Sequence, residues 1–349
     1  MTSGAAIFRF TAALFGLSAT ALCHAQWKIT VLDPVGYPYA VGVSAFANQQ
    51  VGIVRSDPND FTTAHAGMWT GNPASWVDLN PVGYGWAVAT SICGNQQVGI
   101  AYQESSRELH AGLWTGSASS WIDLNPPGAY SSVAYGTSGA QQVGEATTSQ
   151  ENASLWSGTP NSWVNLNPEG ASSSWAYAAY GDKQVGEAEI MQNGRLTGVA
   201  SLWQGTAASW VNLSPPNCPW SQAEAVYGDT EGGDADINNH SVACIWRGTA
   251  DSFINLNPFR ATESVIYGMA DGIQVGSAEI NGQSLAGIWT GLAGSWKPLP
   301  VLSSDPTANY IADSVSRVGN TIFIIGESFN TETGVTHALL WTEKVPAGS

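Results

Sequence analysis

Charge is scarce in this chain and positive charge scarcer still: 11 lysines and arginines face 27 aspartates and glutamates, a net charge of −16. A field of that sign repels phosphate backbones and anionic lipid, which excludes nucleic acid as a partner. Cysteine is scarce too, with 4 residues. Cys93, Cys218 and Cys244 are the three beyond residue 25, an odd set that cannot form a full disulfide framework. Cys218 and Cys244 bracket one repeat and could pair. In the simpler reading, Cys244 only replaces the Gly or Ser of Ala-Gly-Leu-Trp and Ala-Ser-Leu-Trp. Runs of helical periodicity are missing, and so are Gly-x-Ser-x-Gly, His-Glu-x-x-His, Cys-x-x-Cys and Walker patterns. The residues therefore name no cofactor and no metal site.

Apolar runs are confined to the amino terminus. Arg9, the stretch Phe10 to Cys23 and the closing Cys23-His-Ala25 read as a secretory signal over 1–25. A membrane anchor is the competing reading, but the run falls short of the ~20 residues a span requires. Residues 26–349 are then expected to be an exported, soluble monomer without a membrane span.

What the chain has is tryptophan, 16 residues of it, 13 of them on two interleaved ladders. One ladder is Trp69, Trp114, Trp156, Trp203, Trp246, Trp289 and Trp341. The other is Trp27, Trp76, Trp121, Trp163, Trp210, Phe253 in place of Trp, and Trp296. Seven rungs on each mean seven copies of one unit of ~40–45 residues, the size of a propeller blade. Four strand-like segments recur in each: a small-residue segment (A), Gln-Val-Gly (B), Ala-x-Leu-Trp (C) and Trp-Val-x-Leu-Asn-Pro (D). The chain opens on a lone D segment, Trp27 to Leu32, and ends on a C segment, His337 to Trp341. The expected fold is thus all-β, a seven-bladed β-propeller of four-stranded blades closed by the amino-terminal strand, which leaves only short protected edges.

Spacing shows where the unit varies. The C-to-D aromatic spacing is seven residues throughout, as from Trp69 to Trp76, whereas the B–C hairpin changes length from unit to unit. Variable loops on a fixed scaffold point to the B–C and D–A face as the working face, with drift in exposed hairpins the alternative. On that face the D–A crossings carry Tyr39, Trp86, Ser131, Ser173, Trp220 and Glu263, with Tyr84 and Tyr130 close by. Aromatic faces beside hydroxyls suit a sugar ring. The same residues could instead cap packing between blades.

Other constellations read as structural. His65, His110 and His337 start C segments of different blades, diverge too far to share a zinc, and are expected to bridge hairpin backbone. Asp234-Ala-Asp236-Ile-Asn238 starts like a calcium loop but lacks the later Gly and Glu, and aligns with an ordinary Asn281-Gly282 turn. Glu145, Glu187, Asp234 and Glu327 follow the B-segment Gly and are expected to be solvated strand ends.

The segments His65-Ala-Gly-Met-Trp-Thr, His110-Ala-Gly-Leu-Trp-Thr and His337-Ala-Leu-Leu-Trp-Thr, with Asp78-Leu-Asn-Pro81 and Gln97-Val-Gly99, resemble the bacterial extracellular HAF-repeat family. The resemblance spans all seven units and implies an exported bacterial protein, with no catalytic residue to carry across. His is missing from four units, and Gly or Leu stands where the family often has Phe after His-Ala. The expected function is a secreted non-enzymatic module binding carbohydrate or another extracellular ligand. Two alternatives stay open: a protein-interaction scaffold at the cell envelope, and a polysaccharide hydrolase or lyase.

Overall fold

The computed structural model describes residues 27–345; the signal reading over 1–25 lies outside the described residues. They form strands joined by turns and short 3-10 turns, and no helix among them is long and apolar enough to cross a membrane. The strands come in fours, as in Tyr84–Cys93 (A), Gln96–Gln103 (B), Glu108–Trp114 (C) and Ile122–Asp123 (D), each antiparallel to the next. Five sheets hold one such unit; a sheet of eight strands holds two, joined by a single parallel bridge between Tyr39 and Thr336. Within that sheet Lys28–Val31 runs antiparallel to Thr336–Lys344, so a segment from the start of the chain serves as the D strand of a unit from its end. The A strands lie against one another in chain order, and the first, Tyr39–Phe46, also touches the last, Asn309–Val318.

Tryptophan fills the space between units. All seven rungs of the first ladder, Trp69 to Trp341, are 0% exposed, and the second ladder packs half-buried beside them. Trp114, for instance, sits among Met68 and Leu79 of one unit and Ala87 and Ala89 of the next. Burying such a side chain removes ~150–250 Å² from water, an upper figure of ~4–6 kcal/mol before entropy.

Two local devices explain the constant spacing. After each C strand from the first unit to the sixth, a serine ties the C–D turn: Ser120 Oγ accepts from Thr115 N–H (2.8 Å) and donates to Ser117 O (2.6 Å). The glutamine of Gln-Val-Gly holds the same turn from beneath, Gln97 Oε1 accepting from Gly116 N–H at 2.7 Å. Both bonds recur from unit to unit, with Glu231 replacing the glutamine once. The Asn238-Asn239 and Asn281-Gly282 pairs are tight hairpin turns with positive φ, as the alignment of the two segments implies.

The glycine of the motif answers to a third device. In all seven A strands the ladder skips one residue, Val43, Thr90, Tyr135, Tyr177, Glu224, Tyr267 and Asp313, a β-bulge at one place in the repeat. Beside each bulge an A-strand carbonyl leans over the B-strand glycine. A Cβ on Gly144 would meet Val133 O at 1.8 Å, and the other six would meet theirs at 1.9–2.1 Å. Glycine is therefore the residue that tolerates the bulge. Gly144→Ala should cost about 1–3 kcal/mol, the usual penalty of overpacking, read as a lower urea midpoint. An unchanged midpoint would contradict the close approach.

Candidate functional site

A bulge re-aims the residue it leaves unpaired. All seven skipped residues line one cavity of about 350 Å³. They are unlike one another: valine and threonine from the first two units, then tyrosine, tyrosine, glutamate, tyrosine and aspartate. The repeat builds the seven positions around this cavity, and its side chains break the symmetry, as a site must when it concentrates unlike groups at one spot.

A second position of the repeat carries the same bias. The residue after each B-strand glycine is Ile53, Ile100, Glu145, Glu187, Asp234, Ser277 and Glu327. Glu187 Oε1 accepts from Trp220 Nε1–H at 3.2 Å. Ser241 donates to Asp234. Oxygens Glu145 Oε2, Asp234 Oδ1 and Asp313 Oδ2 are buried with no hydrogen-bond partner. No lysine or arginine lines the cavity.

Removal from water without a compensating cation drives these acids toward their neutral forms. Burial, with some repulsion from Glu151, pushes Glu145 up to about 7. Burial raises Glu187 to about 7, and burial with the charges of Asp234 and Glu187 raises Glu224 to about 8. Asp234 rises to about 6 by burial, held back by its bonds from Ser241 and Gln222. Burial lifts Asp313 well above the carboxylate range, with Glu327 adding to it, and burial raises Glu327 as well. The expectation of solvated strand ends is corrected here: Glu187 and Asp234 are buried, and Glu145 and Glu327 are half-buried.

The cavity continues through Ser44, Thr137, Ala179, Val226, Met269 and Ser314 into a second space of about 430 Å³. That space is lined by Phe46, Tyr180, Tyr227 and Asp271 at the A–B turns. Its opening thus lies on the face opposite the B–C hairpins, whose varied lengths had pointed the other way. Tyr227 donates to Asp271 at 2.5 Å, a bond that, with burial, pushes the phenol up to about 12.

None of the eight residues expected to bind ligand lines the ring cavity. Trp86 lies edge-on to Phe61 and parallel to Tyr102, at ring distances of 4.8 and 5.7 Å. Tyr84 donates to Asp123 at 3.0 Å, Trp220 is spent on Glu187, Ser173 donates to Glu189 at 2.6 Å, and Ser131 donates to Thr147 at 3.4 Å. Tyr130 is exposed, Glu263 is an exposed strand start opposite Glu279, and Tyr39 lies under the Arg55 guanidinium. They are spread over different units and not brought together. Cys93, Cys218 and Cys244 are free thiols, and Cys218 Sγ donates to Trp220 O at 2.9 Å.

His65 and His110 bond to D-strand carboxylates, and His337 to Asp33 just past Lys28–Val31, rather than to hairpin backbone. His65 Nδ1 meets Asp78 at 2.8 Å, His110 meets Asp123 at 2.6 Å and His337 meets Asp33 at 2.5 Å. In the units without this histidine the D-strand position holds Asn165, Asn212, Asn255 or Pro298. The bond to its aspartate raises His65 and His337 above the usual imidazole range. Among the described residues no three potential metal ligands cluster.

No family model matches the chain, and no curated protein matches it. Solved structures do. The β-propeller domain of the Trilobed protease from Pyrococcus furiosus superimposes with a TM-score of 0.59 at 10% identity, covering 90% of this chain and 95% of that one. A puromycin hydrolase gives 0.56 at 10% identity, over 87% and 56%. Pyrococcus horikoshii acylaminoacyl peptidase gives 0.57 at 9%, over 92% and 53%. The chain thus spans about half the length of the hydrolase and the peptidase it resembles. These likenesses show an all-β fold of repeated four-stranded sheets like that of propellers. They also overturn the expectation of a non-enzymatic carbohydrate-binding module working through the B–C and D–A loops. The neighbours bear the names of hydrolases and peptidases, and Tyr39, Tyr84, Trp86 and Trp220, four of the five aromatics that suggested a sugar, already pack against or bond to other protein groups.

The raised carboxyls and raised histidines act on stability in the same direction. Each makes the folded chain bind more protons than the unfolded one, for the acids between their ordinary values near 4–4.5 and about 6–8, for the histidines above 6.5. Stability is therefore greatest toward the acid side of that window and falls as pH rises through it. The melting temperature should drop by ~5 °C or more from pH 5.5 to pH 8.5, and Glu224→Gln should narrow the drop. A level or rising profile would refute the buried acids.

Proposed function

We propose that the seven four-stranded units are the blades of a closed propeller whose axial cavity takes the amino group of a peptide, in the service of peptide hydrolysis. The observation that carries this reading is the ring of bulge residues. Glu224 and Asp313 stand on either side of Tyr267 in chain order, and no lysine or arginine lines the cavity with them. An ammonium entering there gains what the fold withholds: ionised carboxylates in a poorly hydrated site, where a charge-assisted bond is about twice as strong as a neutral one. Tyr135, Tyr177 and Tyr267 add π faces that favour a cation. Peptides carry such a group at the amino terminus, and the likeness to a puromycin hydrolase, a protease propeller and an acylaminoacyl peptidase supports peptides as the class. Pairing of Lys28–Val31 with Thr336–Lys344 and contact of the first A strand with the last support closure.

Titration calorimetry with tetra-alanine and its N-acetyl form tests the reading, with mass spectrometry of the same mixtures to detect cleavage. The free amine should bind at least about tenfold more tightly, a difference of ~1.4 kcal/mol, and Glu224→Gln with Asp313→Asn should erase the preference. Equal affinity for the two peptides would rule the amine site out.

A further inference from the structure

A separate cavity, of about 490 Å³, lies among the D–A crossings, lined by Tyr39 and Arg55, by Ser284, and by Asn309, Ile311, Glu327, Phe329 and Thr336. Arg55 is its one basic group. The guanidinium lies 3.5 Å from the Tyr39 ring centroid and 5.7 Å from that of Phe61, so aromatic faces hold its plane. Among the described residues no carboxylate comes within 4.0 Å of it. Its Nε–H is buried without a partner. Thr336 is only 2% exposed, and its hydroxyl, also in this wall, has no partner. Asn309 Oδ1 accepts from Ser284 N–H at 3.0 Å, which leaves its amide N–H groups for another acceptor. A guanidinium N–H and a hydroxyl, both buried and without a partner beside one cavity, form an incomplete anion site, and guanidinium suits the planar two-oxygen shape of a carboxylate. Glu327 shares the wall, but its burial favours the uncharged acid, which limits its competition for Arg55.

The two cavities share no lining residue, but their linings approach on one strand. Ile311 of the one and Asp313 of the other are two residues apart on the same strand, ~7 Å. Arg55 pairs with Tyr39, four residues before the bulge at Val43, which sets the guanidinium ~13 Å along the strand from the ring. An extended peptide advances ~3.3–3.6 Å per residue, so about four residues bridge the two sites.

Resting on the amine-site reading, we infer that Arg55 and Thr336 receive the terminal carboxylate of a short peptide whose amino group lies at the ring, so that the two cavities together measure peptide length. Free peptides of about four residues then fit, and dipeptides reach one end only.

The test uses alanine peptides of two to six residues, as free acids and as C-terminal amides, titrated into the full chain. Tetra-alanine should bind at least about tenfold more tightly than its amide and than di-alanine. Arg55→Ala should remove the advantage over the amide, and Arg55→Lys should keep part of it. The comparison of acid with amide needs no substitution, so a folding defect in a variant cannot mask the result. Equal binding of acid and amide by the unaltered chain overturns this inference and leaves the amine site standing. Equal binding of tetra-alanine and its N-acetyl form overturns the amine site instead, and no binding by any peptide overturns both.

Discussion

Everything distinctive about this molecule depends on one steric allowance: seven glycines on the second strands that let a carbonyl of the first strand approach where a Cβ would stand. The allowance admits a bulge, and the bulge turns one residue per unit into a common cavity. Scaffold and site are therefore separable. The glycine, the buried glutamine, the turn serine and the tryptophan repeat with little change, while the bulge residue runs from valine to aspartate without disturbing them. A fold of this kind can alter its binding chemistry one position at a time.

That separation also accounts for the unusual density of buried acid. Elsewhere in a protein a carboxyl without a partner is removed by selection or satisfied by a neighbouring base, because each carries a desolvation cost. Here the tryptophan packing between units is extensive enough to hold several such groups in place. The one lysine near a buried acid, Lys183, serves Glu231 at the turn end of a B strand and not the cavity.

Much of the fold was legible in the residues. The tryptophan ladders, the fixed step of seven and the lone first D segment all correspond to observed packing, turns and pairing. The site was less so. Sequence shows which residues repeat, but a bulge is a register fault, and strict alternation puts Tyr135 or Glu224 on the wrong face. A signal was nevertheless present: the residue following the Gly or Ala of six A segments, and Ile266 of the other, is the one that ceases to be repetitive, changing through Thr90, Tyr135, Glu224 and Asp313. Trp86 and Trp220 are more prominent in sequence by their aromatic character, while their partners, Tyr102 and Glu187, are visible only in three dimensions. The histidines were misread for a related reason, since their aspartates lie 13 residues away in two units and 304 in the third.

The last of those separations bears on assembly. Strand Thr336–Lys344 is flanked on one side by Thr321–Phe329, formed locally, and on the other by Lys28–Val31, from the far end of the chain. Contacts of such sequence distance form slowly. In a folding intermediate that has made every local hairpin, this strand shows a bare edge of unpaired amides and carbonyls, rich in Leu339, Leu340 and Trp341. A second molecule at the same stage can offer its own Lys28–Val31 to that edge, so exchange of this strand between chains, with linked or tangled pairs as the product, is the characteristic way for the protein to misassemble at high concentration.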